Sequence, residues 1–182
     1  MRILQTVAFL LLVCAFASGQ TPDRSIDVEL QKLRAFLKLP ETTRIVPSTA
    51  PLPKFNPLMV FVATGTETDL YKVFLSRINE WNKKNGLKHG SIEVVSDISA
   101  AQVILVWYSE QIDKMSYPPD GNSSEERICC PQRAYAYLIV QTPDRLEMLS
   151  RIIGDGYYLP ANSHNRGDTL RNVFFKKMKA RK

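Results

Sequence analysis

Two adjacent cysteines, Cys129 and Cys130, are the residues of this 182-residue chain that are best suited to redox chemistry. A disulfide between neighbours would close a strained eight-membered ring and lock a turn, but it would not tie distant segments together. Bonds to another chain and two reduced thiols are the alternatives, so a disulfide-linked dimer or a redox protein stays open. Because no framework of bridges can form, the core must be held by packing.

The only two histidines, His89 and His164, limit metal and acid–base chemistry. A four-ligand metal site would need both of them beside the two cysteines, so we expect two solvated histidines instead, with no metal and no cofactor. A serine, a histidine and an aspartate occur at 163, 164 and 168, but no Gly-x-Ser-x-Gly elbow presents the serine. These residues favour a non-enzymatic protein. The alternative is a hydrolase without a recognisable short motif, with a histidine as proton carrier and segment 109–133 as a lid.

Positive charge is concentrated at the carboxyl end. The formal net charge is +6, and residues 166–182 contain seven basic residues and one acidic residue. Part of this charge complements the dipole of a terminal helix. The surplus indicates either a solvated terminal helix or an anionic partner, which would be an anionic lipid, a polysaccharide or an envelope protein. Nucleic acid is disfavoured because no aromatic residues alternate with the basic ones as a stacking platform. The candidate binding residues are Arg171, Lys176, Lys177, Lys179, Arg181 and Lys182.

Two short motifs in the sequence resemble recognition sites. Residues 166–168 spell Arg-Gly-Asp, as in integrin ligands, but a turn at Gly167 and a helix cap at Asp168 explain them without a receptor. Asn122 begins an Asn-Ser-Ser acceptor for N-glycosylation in a polar loop, which matters only in a eukaryotic secretory pathway.

The first nineteen residues match a secretory signal peptide, with Arg2 before an apolar run and small residues at Ala15, Ala17 and Gly19. We therefore expect a secreted or periplasmic protein. Lipid attachment at Cys14 is the minor alternative. The apolar run is too short for a permanent transmembrane helix, and no later segment reaches about 18 apolar residues, so the mature chain has no predicted span.

Behind this segment, the sequence predicts a helix over 20–39 and then a connector over 40–57. Thr21 and Pro22 form a helix start, and Ile26, Leu30, Leu33 and Leu37 recur along one face. Five prolines in the next eighteen residues favour an extended connector.

Residues 58–182 predict one α+β domain, since the chain is 45% apolar and 23% charged, as in globular proteins. Strands are expected at 58–63, 92–95, 102–108 and 134–141, with a brief edge strand at 157–159. Helices are expected from Thr66 to Asn85-Gly86, over 142–153, and over 169–179 with Asp168 as its cap. The long polar segment 109–133 reads as a loop. The prediction is a mixed sheet of four to five strands with helices packed against it.

The stretch from Phe74 to Tyr108 resembles the small α/β module of bacterial envelope proteins, such as the amino-terminal domain of TolB and related uncharacterised envelope lipoproteins. The resemblance is carried by a helix with Leu75, Ile78 and Trp81, then by the sequence IEVVSD from Ile92, then by AAQVILV from Ala100. It implies a periplasmic or cell-surface binding module and carries over no catalytic residue.

Overall fold

The computed structural model describes residues 24–65, 68–111, 115–117, 127–129, 132–156 and 159–181. The chain divides into two compact units, residues 1–43 and 44–182. In the described part of the first unit, helix α1 spans Arg24–Phe36, within the helix that the sequence predicts. Its Leu33 is fully buried, and the Arg34 Nε donates to the Thr43 carbonyl at 2.8 Å, so the turn after the helix is held against its last residues.

The second unit is built on a six-stranded mixed sheet. The strands are β1 (Ile45–Pro47), β2 (Leu58–Thr64), β3 (Ile92–Val95), β4 (Val103–Gln111), β7 (Gln132–Gln141) and β8 (Leu146–Gly156), and their order in the sheet is β1-β8-β7-β4-β2-β3. Strands β3, β2 and β4 are mutually parallel, β4–β7–β8 are antiparallel, and β1 is parallel to β8. The α+β class with a mixed sheet is therefore confirmed, but the sheet has six strands and not the predicted four to five. Strand β4 lies inside the sheet, as its unbroken apolar run indicates.

Two helices cover one face of this sheet, α2 (Thr68–His89) and α3 (Leu159–Lys179). The core between helices and sheet contains Phe74 and Ile78 from α2, Leu105 and Trp107 from β4, and Phe174 from α3. The opposite face is buried too, with Val106 and Tyr137 as directly paired neighbours. Burial on both faces explains why β4 and β7 are apolar without alternation.

The helix predicted over 142–153 is wrong, because residues 146–153 belong to strand β8 and residues 142–145 precede it. Leu138 pairs with Ser150 and Ile139 pairs with Met148, so Leu149 is an extra residue in a β-bulge. The bulge brings Leu149 and Ile152 to the same face, where both pack against the core. Apolar residues three apart therefore imitate helical spacing within a strand.

The predicted bounds of both core helices also need correction. Helix α2 does not end at Asn85-Gly86; it continues to His89 and stops at Gly90, whose φ of 88° favours glycine. Helix α3 begins at Leu159, not after Asp168, so neither a turn at Gly167 nor a cap at Asp168 exists. Of the predicted edge strand 157–159, Leu159 is the first residue of α3, and the other two lie outside the described residues.

Segment 109–133 is not a plain loop. Strand β4 continues to Gln111 and β7 begins at Gln132. Between them, β5 (Met115–Tyr117) pairs antiparallel with β6 (Arg127–Cys129) as a separate two-stranded sheet. In the connector predicted over 40–57, strand β1 pairs with β8, and the Ser48 hydroxyl donates to Glu147 at 3.0 Å.

Candidate binding surface

Helices α2 and α3 lie side by side and run in the same direction. Gly167 of α3 lies next to Leu70 of α2, where a Cβ on the glycine would be 3.5 Å from the leucine methyl groups. Further along, the rings of Trp81 and Phe175 stack with their centroids 5.1 Å apart. A Cβ on Gly90, just after α2, would lie 3.4 Å from the guanidinium of Arg181, just after α3. The two helices therefore end at the same end of the domain.

The end of α2 is held in place by backbone and side-chain contacts within the helix end. The Trp81 indole donates to the Gly90 carbonyl at 3.0 Å, and the Gly90 amide donates to the Gly86 carbonyl at 2.9 Å. The His89 ring lies against Trp81, with centroids 6.0 Å apart. These contacts satisfy backbone groups that a helix end leaves open.

Arg181 joins the end of α3 to the loop before β2. Its guanidinium donates to the Phe55 carbonyl and, at 3.3 Å, to the Met178 sulfur. Burial lowers the pKa of this guanidinium. Of the residues that the sequence predicts for anion binding, Arg181 is thus engaged within the domain.

The turns that meet at this end are rich in lysine. Residues 81–89 and 172–181 contain seven basic residues and no acidic residue, and we call this set the basic end. Its members are Lys83, Lys84, Lys88, Lys176, Lys177, Lys179 and Arg181. Four of these lysines are exposed and have no ion pair with any carboxylate of the described residues: Lys83, Lys88, Lys176 and Lys179.

Three other basic side chains of α2 and α3 are paired with carboxylates. Lys84 contacts Glu80 at 2.8 Å and Arg77 contacts the same carboxylate at 2.8 Å, which together lower the pKa of Glu80 to about 2. Arg171, predicted as a binding residue, forms an ion pair with Asp168 at 2.8 Å, one to two turns before the lysines of α3. The free charge is therefore on the last turns of both helices.

The contribution of α2 to the basic end was not predicted from the sequence. The chain outside 166–182 has no net charge, so its lysines did not stand out in a sum. The signal was local: three lysines between 83 and 88 without an acid among them. That these turns lie beside the tail helix depends on tertiary packing.

No protein-family model matches this chain, and no curated protein is significantly similar to it. Among solved structures, the rare lipoprotein B from Shewanella oneidensis has a weak likeness to it, with 15% sequence identity and a TM-score of 0.23. The alignment covers 67% of this chain and 86% of that protein. A TM-score this low supports no inference about fold or function.

The two histidines are far apart. His164 is in α3 three residues before Gly167, which lies beside Leu70 near the start of α2, whereas His89 is the last residue of α2. With a rise of about 1.5 Å per residue, they are roughly 30 Å apart along the helix axes. The structure therefore does not assemble one metal site from both, and no cluster of three metal-binding side chains occurs among the described residues.

The Arg-Gly-Asp tripeptide lies inside α3. Gly167 is buried against Leu70 and Trp107, and the Arg166 guanidinium lies across Gly154 of β8. Asp168 binds Arg171. This tripeptide is not an exposed loop tip, so the structure removes the basis for integrin-type recognition.

Several predictions fall outside the described residues. These are the signal peptide with Cys14, the acceptor Asn122, Cys130 and Lys182. Cys129 is the last residue of β6, where its backbone pairs with Met115. Within the described part of the chain, no helix has the length and apolar character needed to cross a membrane.

Proposed function

We propose that this protein is a secreted or periplasmic, non-enzymatic binding module that holds an anionic partner at its basic end. The observation that carries this proposal is the parallel packing of α2 and α3, which brings two lysine-rich helix ends together. Basic residues at helix carboxyl ends complement the dipole within about one turn. The two adjacent ends carry four exposed lysines that have no ion pair with a described carboxylate, which exceeds that need, so they create a local positive potential suited to polyanions.

The proposed anionic partner is not restricted to lipid. Acidic polysaccharide, anionic headgroups and an acidic face of an envelope protein all offer negative charge. Export, which brings the protein to such partners, rests on the pattern of residues 1–19. Protein recovered outside the cytoplasm and shortened by seventeen to nineteen residues, as measured by intact mass, would agree with it.

A charge-reversal experiment tests the basic end. We compare Lys176→Glu/Lys179→Glu with the control Arg44→Glu/Lys72→Glu, which changes the net charge equally at exposed positions outside the basic end. Retention on dextran sulfate beads should fall by about fivefold or more per lysine in the first variant and little in the control. Retention of the unmodified protein should also fall as salt rises. Equal retention of both variants would contradict the proposal.

A further inference from the structure

Leu87 is an apolar side chain that the fold leaves entirely in solvent. Its exposure is 109%, the largest among the exposed apolar residues of the described chain. It follows the buried Ile78 by nine residues, and at about 100° per residue this places it on the opposite side of α2. Because Ile78 and Trp81 already anchor the helix, folding does not require a leucine at 87.

The surroundings of Leu87 distinguish it from an ordinary exposed leucine. Lys83 and Lys84 precede it by one turn, and Lys88 follows it. On the adjacent helix, Lys176 and Lys179 are exposed. An apolar side chain within a field of lysines is the pattern of surfaces that bind anionic membranes, where long lysine stems let the charge reach the headgroups.

Phe55 adds a second apolar group at the same end. The residue is 54% exposed, and its carbonyl accepts a hydrogen bond from Arg181. The next residue is fixed as well, because the Asn56 carboxamide oxygen accepts from the Ser91 amide at 3.0 Å and from its hydroxyl at 2.8 Å. Phe55 is therefore presented from a loop that is held on both sides.

We propose that Leu87 and Phe55 insert into the headgroup region of an anionic lipid bilayer while the basic end holds the domain on its surface. This rests on the proposed function and specifies its partner as a membrane. A soluble polysaccharide would neutralise the lysines but would offer no acyl chains to the two apolar groups. A peptide partner would require a groove lined by these side chains. Leu87 and Phe55 lie on separate elements and line none of the described grooves.

The test compares Leu87→Ser/Phe55→Ser with Val73→Ser, which removes a partly exposed apolar side chain from the same helix about 21 Å away. The probes are vesicles of phosphatidylcholine mixed with phosphatidylglycerol, and dextran sulfate beads. We expect the double variant to lose about tenfold in vesicle affinity, the Val73 variant to bind as the unmodified protein does, and all three to bind the beads equally. Equal thermal unfolding of the variants shows that the fold is retained.

A tryptophan at position 55 gives a direct readout of insertion. Vesicles should shift the emission of Phe55→Trp to shorter wavelength, measured as a difference from the unmodified protein, whose Trp81 and Trp107 are buried. Two results would contradict the insertion and leave the proposed function in place. In the first, the protein sediments with vesicles but the emission of Phe55→Trp does not shift. In the second, Leu87→Ser/Phe55→Ser binds vesicles normally while Lys176→Glu/Lys179→Glu does not. If the unmodified protein binds neither vesicles nor beads, both are wrong.

Discussion

The side chain of Asn82 binds both backbone groups of Ile92. Its amide nitrogen donates to the Ile92 carbonyl at 2.8 Å, and its carboxamide oxygen accepts from the Ile92 amide at 2.8 Å. Ile92 begins β3, the edge strand beside β2. Helix α2 thus supplies the hydrogen bonds that a further strand would otherwise provide at this point of the sheet edge.

We expect Asn82→Ala to destabilise the protein by about 1–3 kcal/mol, because two partly buried backbone groups lose their partner. Chemical denaturation measures the loss. Asn79→Ala, an exposed change one turn earlier on the same helix, is the control and should cost less than about 0.5 kcal/mol. Equal midpoints for the two variants would show that water replaces the amide at no cost.

Gly167 should respond with opposite signs to alanine and to valine. An added Cβ would lie 3.5 Å from the Leu70 methyl groups, which is ordinary contact, and glycine within a helix costs about 1 kcal/mol relative to alanine. Gly167→Ala should therefore raise the unfolding temperature. The extra methyl groups of Gly167→Val have no space between the helices and should cost about 1–3 kcal/mol.

The matched controls are Asn172→Ala and Asn172→Val, at an exposed position of α3. These two should differ only by helix propensity, a few tenths of a kcal/mol. If Gly167→Val unfolds no earlier than Asn172→Val, the contact between α2 and α3 is looser than described.

Tyr135 should make the protein sensitive to alkali. Burial raises the pKa of its phenol to about 12, and its hydrogen bond to Glu110 at 2.6 Å adds to this effect. The unfolded chain loses the proton near pH 10, so stability is unaffected below that pH and falls as the pH rises from about 10 towards 12. Denaturation midpoints across this range measure the slope.

Tyr135→Phe removes the titrating group and should flatten this slope, although it also removes the hydrogen bond to Glu110. Phenolate absorbance of the folded protein, compared with that of the variant, reports the ionisation itself. A phenol that titrates near pH 10 in the folded state would contradict the prediction.

The bonding state of the adjacent Cys129 and Cys130 remains a prediction. A disulfide between these neighbours predicts an exported monomer without a reactive thiol, from which reduction releases two thiols that maleimide labels, as read by mass. Because a bond between neighbours closes no long loop, Cys129→Ser/Cys130→Ser should change the unfolding temperature little. A dimer that reduction separates would instead indicate bonds between chains.

Local sequence determined much of this protein. Strand β3 has the predicted bounds, β2 and β4 differ by one to three residues, and α1 and most of α2 lie where apolar spacing predicts a helix. Each of these elements has an apolar pattern that agrees with its own backbone periodicity. The concentration of charge in residues 166–182 was readable in the same way.

Tertiary structure decided the rest. The spacing of Leu149 and Ile152 fits a helix by itself. In the folded protein, a bulge opposite Leu138 and Ile139 places both residues on one face of a strand. Gly167 by itself favours a turn, but in the folded protein it lies within a helix and contacts Leu70 and Trp107. The basic end exists only because α2 and α3 are parallel neighbours. The periodicity of a segment indicates which of its own residues are buried. The surface against which those residues pack is formed by residues far along the chain, so only the folded protein brings the two together.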